Sequence, residues 1–358
     1  MNAALSTYLN LLRLVAALVV VLSHFAYPRF TDGDWLWVRE LNLGSDAVVV
    51  FFVLSGFVIS LTAAQKDHTL GAFAFARASR LISVALPALL LGWVLDQWGA
   101  AKAPGDYAVP FYNPLPLWEQ VLRGLSFTNE WGGLATRLGS NGPYWSLSYE
   151  AAYYALFAVG FYLSGPRRGV LLLSGALLVG INILLLMPAW LMGVWVYRRL
   201  AHGHVLRDAT AVLFAVLPVL LYLLALRFAL PEVLRLHLQP HLSAHALRYS
   251  DEYLWNALLG GMVGIHLLGV AQLLRGIDLD WAERPVAWLA GASFSIYLIH
   301  YPLLQALHAA RPDLSHAGLF GLTLFGCFAF AQLFERPLAL WRRLALATVH
   351  GRAAPVTG

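Results

Sequence analysis

The sequence predicts an all-α, polytopic integral membrane protein with about ten transmembrane helices and both termini in the cytoplasm. Three observations predict it. The 358 residues are 59% hydrophobic and 12% charged, against about 25% charged in soluble domains, and mean hydropathy is +0.66. Apolar runs long enough to cross a bilayer recur along the chain. Lys and Arg collect in alternate short loops.

The expected spans lie near residues 10–27, 45–64, 79–96, 146–164, 169–186, 188–200, 209–228, 252–274, 286–309 and 315–335. The first is read as a retained helix and not a cleaved signal, because Arg13 interrupts it and no small-residue cleavage site follows. With the N-terminus inside, the short inner loops hold Lys66, Arg77 and Arg80, then Arg167 and Arg168, then Arg198, Arg199 and Arg207, then Arg275 and Arg284. Arg336, Arg342, Arg343 and Arg352 follow near the C-terminus. This positive-inside pattern also accounts for the net charge of +5. The basic residues are scattered between apolar segments, which does not suit nucleic-acid binding.

Two outer loops are long. Residues 97–144 hold Trp98, Tyr107, Tyr112, Trp118, Trp131 and Tyr144 with Asn113, Asn129 and Asn141, a mixture suited to sugar faces and hydroxyls. Residues 228–251 carry His237, His241 and His245. They have no Cys or carboxylate among them and Pro240 between them, so no metal is expected. The single Cys327 sits in an apolar run and can form neither an intrachain disulfide nor a metal site.

Arg13 and His24 carry the chemistry of the first span. Eleven residues make close to three helical turns, so both side chains fall on one face, about 16 Å apart along the axis. Ionisable residues inside a span mark function by default.

Arg, ten residues, then His in a first span resembles the signature of the membrane acyltransferase-3 family, which includes bacterial O-antigen and exopolysaccharide O-acetyltransferases. The resemblance continues in order. Gly44, Asp46, Phe51, Phe52, Ser55, Gly56 and Phe57 resemble the family's second span, although Val residues extend the gap between Asp46 and Phe51. Arg77 and Arg80 resemble its Arg-x-x-Arg pair. Residues 144–150, Tyr-Trp-Ser-Leu-Ser-Tyr-Glu, resemble its Trp-Ser-Leu-Ser-x-Glu segment, with Glu150 alone where many relatives have two acids. Ser293, Tyr297, His300 and Pro302 resemble a late span, and Glu335 and Pro337 its closing Glu-x-Pro. The match covers about residues 8–340, so residues 1–345 are read as one transmembrane domain and 346–358 as a short cytoplasmic tail.

The resemblance implies transfer of an acyl group, most simply acetyl from cytoplasmic acetyl-CoA, to a hydroxyl of an exported glycan at the bacterial inner membrane. His24 would be general base or acyl acceptor, with Arg13 and Glu150 as catalytic partners. Arg77, Arg80 and Arg13 would hold the donor. Asp46, Tyr144, Trp145, Ser148 and His300 would meet the acceptor. A transporter of a glycan or acylated substrate is the competing reading, since it accounts equally for many spans and intramembrane charges.

Overall fold

The computed structural model describes residues 2–238 and 247–343. Among these residues the chain is helical, with two isolated bridges in the loop 113–141 and no strand. Among the described residues, eight segments are long and apolar enough to cross a membrane. The chain divides into two compact units.

The first unit comprises residues 1–70, 127–136 and 144–290. It begins with α1 (Ala3–Phe25), capped by the Asn2 side chain accepting from the Leu5 N–H. Two short helices, α2 (Pro28–Thr31) and α3 (Leu36–Glu40), form the connection to α4 (Leu43–Gln65). Residues 5, 9, 53, 54, 57, 196, 267 and 271 make one apolar core at one end of this unit. Residues 49, 189, 225, 255 and 259 make another.

The second unit comprises residues 71–126, 137–143 and 291–358. It is built on α5 (Leu70–Lys102), followed by α6 (Pro104–Tyr107) and α7 (Leu117–Ser126). At 33 residues α5 is about 50 Å long, well beyond a bilayer core. The expected span 79–96 is therefore only its middle, and Arg77 and Arg80 lie on helix, not in a loop.

In the first unit the chain resumes with α8 (Trp145–Tyr162), α9 (Gly165–Val179), α10 (Ile181–Ala201), α11 (Asp208–Arg227) and α12 (Leu230–Leu238). The expected boundary near residue 187, beside Pro188, is corrected. The break falls at Gly180, whose φ of 91° favours glycine, and Pro188 is carried inside α10. Neither α8 nor the fifteen-residue α9 is among the eight candidate spans.

Next come α13 (Tyr253–Leu273) and α14 (Asp280–Ala290), which packs against α1. In the second unit α15 (Ser293–Ala310) pairs with α16 (His316–Phe334). The expected span 286–309 is thus interrupted between Ala290 and Ser293.

Candidate functional site

Arg13 and His24 lie on one uninterrupted helix, α1, as the spacing requires. Both are half-buried. The Arg13 Nη2 donates to the Ala290 carbonyl at 2.9 Å, tying α1 to the end of α14. The His24 Nδ1 lies 3.0 Å from the Val20 carbonyl, one turn back. A carbonyl only accepts, so Nδ1 carries the hydrogen and the lone pair of the neutral ring is on Nε2.

The surroundings of His24 come from the connection to α4. Arg39 donates to the Ser23 carbonyl at 2.9 Å, a cation at the C-terminus of α1. Its guanidinium stacks 3.6 Å from the centre of the Tyr27 ring, and that ring lies 6.3 Å from the imidazole. Gly44 lets α4 approach here, since a Cβ on it would come within 2.5 Å of the Ser23 Oγ. Neither Arg39 nor Tyr27 carries a motif signal in the sequence. Only their fold-back onto α1 reveals them.

Glu150 sits on the second turn of α8. Its Oε1 accepts from the Ser55 hydroxyl of α4 at 2.8 Å and from the Tyr154 hydroxyl one turn on. Trp190 of α10 donates to the Ser55 Oγ at 3.2 Å. One carboxylate oxygen is thus held from α4 and α8, with α10 bonded to the Ser55 that holds it, and Oε2 makes no hydrogen bond among the described residues. His24 is not a hydrogen-bond partner of Glu150. Ser55 belongs to the motif read in the second span, whereas Tyr154 and Trp190 carried no sequence signal.

The expected acceptor contacts are placed less openly. Asp46 is 5% exposed, with one oxygen accepting from Trp255 at 2.7 Å and the other from Tyr222 at 2.8 Å. It holds α4, α13 and α11 together. Ser148 is fully buried and donates to the Asn129 side chain at 2.6 Å. Tyr144 is 1% exposed, and burial pushes its phenol above the usual range, so it stays neutral. Trp145 is half-buried, stacked on Tyr249 with centres 4.3 Å apart and edge-on to Tyr149 at 4.8 Å.

The loop amides face inward, contrary to the expected sugar-binding display. Asn129 binds Ser148, Asn113 donates to the Arg137 carbonyl, and Asn141 donates to the Leu298 carbonyl. Hydrogen bonds that close a long loop are needed by the loop's own backbone. Of its aromatics, Trp118 and Trp98 are the exposed ones. His237 is exposed and bonds its own helix at Val233. His241, His245, Arg352 and residues 346–358 lie outside the described residues. No group of three or more metal-ligating side chains occurs among the described residues.

Arg77, Arg80 and His300 belong to the second unit. Arg77 lies 5.6 Å from the Phe73 ring. The Arg80 guanidinium has no hydrogen bond or ion pair among the described residues. Ser79 and Ser83, on either side of it, line a groove of about 530 Å³ with Phe75, Ile82 and Trp341. Arg342 closes its edge, donating to Ser79 and to the Ala76 carbonyl at 2.9 Å each. His300 is fully buried, its Nδ1 bonded to the Ile296 carbonyl at 2.8 Å. Two of the late motifs meet here, since the Ser295 N–H at the start of α15 donates to Glu335 at 2.8 Å.

The model of the acyltransferase domain matches residues 6–335. The chain belongs to the acyltransferase family. Every motif described above falls inside that match except Pro337 of the closing Glu-x-Pro, two residues beyond its end. Within the curated proteins, the chain is 31% identical over 157 residues to acyltransferase MdmB of Streptomyces mycarofaciens, covering 42% of this chain and 38% of that one. It is 33% identical over 93 residues to an O-acetyl transferase of Shigella phage Sf6, covering 25% and 27%. The chain thus aligns with well under half the length of either relative. No solved structure matches this member of the acyltransferase family.

Proposed function

We propose that this protein is a membrane O-acyltransferase that moves an acyl group, most simply acetyl from cytoplasmic acetyl-CoA, to a hydroxyl of a glycan exported across the bacterial inner membrane. The observation that carries the reading is the pair Arg13 and His24 on one helix, inside a family match of residues 6–335. The names of the two relatives support acyl, and in one case acetyl, as the class of group moved.

In this reading Arg77 and Arg80 hold the phosphates of the donor. The uncompensated Arg80 guanidinium supports that role, because a planar fork of donors suits phosphate oxygens. Arg13 helps to hold the donor near the cytoplasmic end of α1. About 16 Å of α1 lie between Arg13 and His24, a length that a pantetheine arm can cover.

At His24 the Nε2 lone pair takes the proton of the acceptor hydroxyl as its oxygen attacks the thioester carbonyl. The new C–O bond forms, the C–S bond breaks, and the thiolate leaves as CoA. The alternative order gives Nε2 the acyl group first and the acceptor second. Glu150 binds the acceptor through Oε2, since its other oxygen is held by Ser55 and Tyr154. Asp46, Tyr144 and Ser148 support the site by fixing helices and loop, and half-buried Trp145 is the face offered to a sugar. His300 braces the second unit.

The test is acetyl transfer in inverted membrane vesicles given radiolabelled acetyl-CoA on the cytoplasmic face. Wild type is expected to label glycan or itself, and His24→Ala at equal abundance to lose at least about a hundredfold of that rate. Equal labelling by both would remove His24 from the mechanism. Glycan that crosses the membrane unmodified would favour transport.

A further inference from the structure

A cavity with a charged rim lies in the first unit, apart from the residues proposed for catalysis. It has a volume of about 320 Å³ and sits where α10 ends, α11 begins and α13 ends. Its walls are apolar, with Trp195 from α10, Phe214 from α11 and Leu268 from α13. Its rim is cationic. Arg199 and Arg275 both border it and both reach His204, Arg199 to the ring at 3.3 Å and Arg275 to the backbone carbonyl at 3.2 Å. Neither guanidinium has a carboxylate partner among the described residues. Gln272 also lines the cavity, and its Oε1 is buried without a hydrogen-bond partner.

These features specify a ligand with three parts. Two uncompensated guanidinium groups drawn together on one loop call for a phosphate. The buried amide of Gln272 calls for a hydroxyl or similar polar group. The apolar walls call for hydrocarbon. The third wall, α11, is the most membrane-exposed of the candidate spans, with only 17% of its apolar window buried. The cavity therefore borders the face where acyl chains pack, at the level where a span gives way to charged loop.

We propose that this cavity is a binding site for an anionic glycerophospholipid, with the phosphate on Arg199 and Arg275, a headgroup hydroxyl on Gln272, and an acyl chain along Phe214 and Leu268. The site is separate from the chemistry proposed for His24 and does not depend on it.

Native mass spectrometry of the detergent-purified full chain tests this, with phosphatidylglycerol and phosphatidylcholine of equal chain length offered in competition. Wild type is expected to retain phosphatidylglycerol selectively. R199Q/R275Q is expected to reduce retention about tenfold or more, and R167Q/R168Q, which removes two exposed arginines elsewhere, to leave it unchanged. Leu268→Trp fills the cavity without touching a charge and is expected to release the lipid too, which covers the case of a double variant that fails to fold. Equal retention of both lipids by wild type overturns the proposal, as does equal loss in R167Q/R168Q. Displacement of the lipid by millimolar CoA or inorganic phosphate also overturns it, and assigns the cavity to a soluble phosphate ligand.

Discussion

At the scale of single residues, Glu150 and Asp46 show how two intramembrane acids with similar sequence contexts take different parts. Glu150 has one oxygen anchored and one unengaged, whereas both oxygens of Asp46 are consumed by Trp255 and Tyr222. Glu150→Gln keeps the size and the Ser55 contact but removes the charge. It is expected to cut acetyl transfer by about a hundredfold with an unchanged thermal midpoint, and a shifted midpoint with unchanged specific activity would assign it to structure. Asp46→Asn leaves one buried donor facing an amide N–H₂. That mismatch is expected to cost about 1–3 kcal/mol, read as a lowered midpoint in detergent with turnover per folded molecule retained. Spacing alone could find Asp46 and Glu150 as buried acids in apolar runs. It could not tell them apart, because the deciding donors Tyr222 and Trp255 lie 176 and 209 positions away.

At the scale of elements, the site depends on how closely α4 and α10 meet. A Cβ on Gly56 would fall 2.0 Å from the Trp190 carbonyl oxygen, and one on Gly193 would fall 1.9 Å from the Val53 carbonyl oxygen. The two backbones touch through these glycines, as small residues allow in membrane helices. That contact brings the Trp190 indole to Ser55 and so holds Glu150. Gly56→Ala and Gly193→Ala are each expected to lower the thermal midpoint and the activity together. Gly160→Ala in α8, where a Cβ meets nothing within 4 Å, is expected to be neutral or stabilising by up to about 1 kcal/mol. Helix existence was legible from the apolar runs, since hydrocarbon leaves a backbone few alternatives to helix. Helix ends were less legible. The break at Gly180 depends on one backbone angle, and the extension of α5 to Lys102 depends on residues too polar to count as span.

At the scale of the whole molecule, the proposed topology is consistent with either count of spans. The ten expected segments and the eight candidates differ by α8 and α9, which are consecutive, so adding or removing the pair leaves both termini on the same side. The single cysteine makes this directly testable, because Cys327 is fully buried. In the ten-span topology Trp118→Cys is expected to react with an impermeant maleimide on intact cells and Arg168→Cys only after permeabilisation, whereas reaction of both on intact cells would support eight spans, because Arg168 lies at the start of α9, just after α8. The reverse pattern would invert the orientation and move the donor arginines to the wrong face. The expected orientation rests on the charge distribution of the short loops, and the labelling pattern decides it. The division into two units was not readable, since it groups residues 71–126 with residues beyond 290 across a long stretch of chain.

The brevity of α9 has a mechanical consequence. In the ten-span topology it crosses with fifteen residues, about 22 Å of helix, and it presents Val170, Leu173, Leu177 and Leu178 outward. A bilayer core is about 30 Å thick, so lipid beside α9 has to thin by several ångströms to match it. In that topology the protein would sit in a local dimple of the bilayer. Within such a dimple the two aqueous faces would lie closer together than in the surrounding bilayer, which would shorten the path of the acyl transfer proposed above.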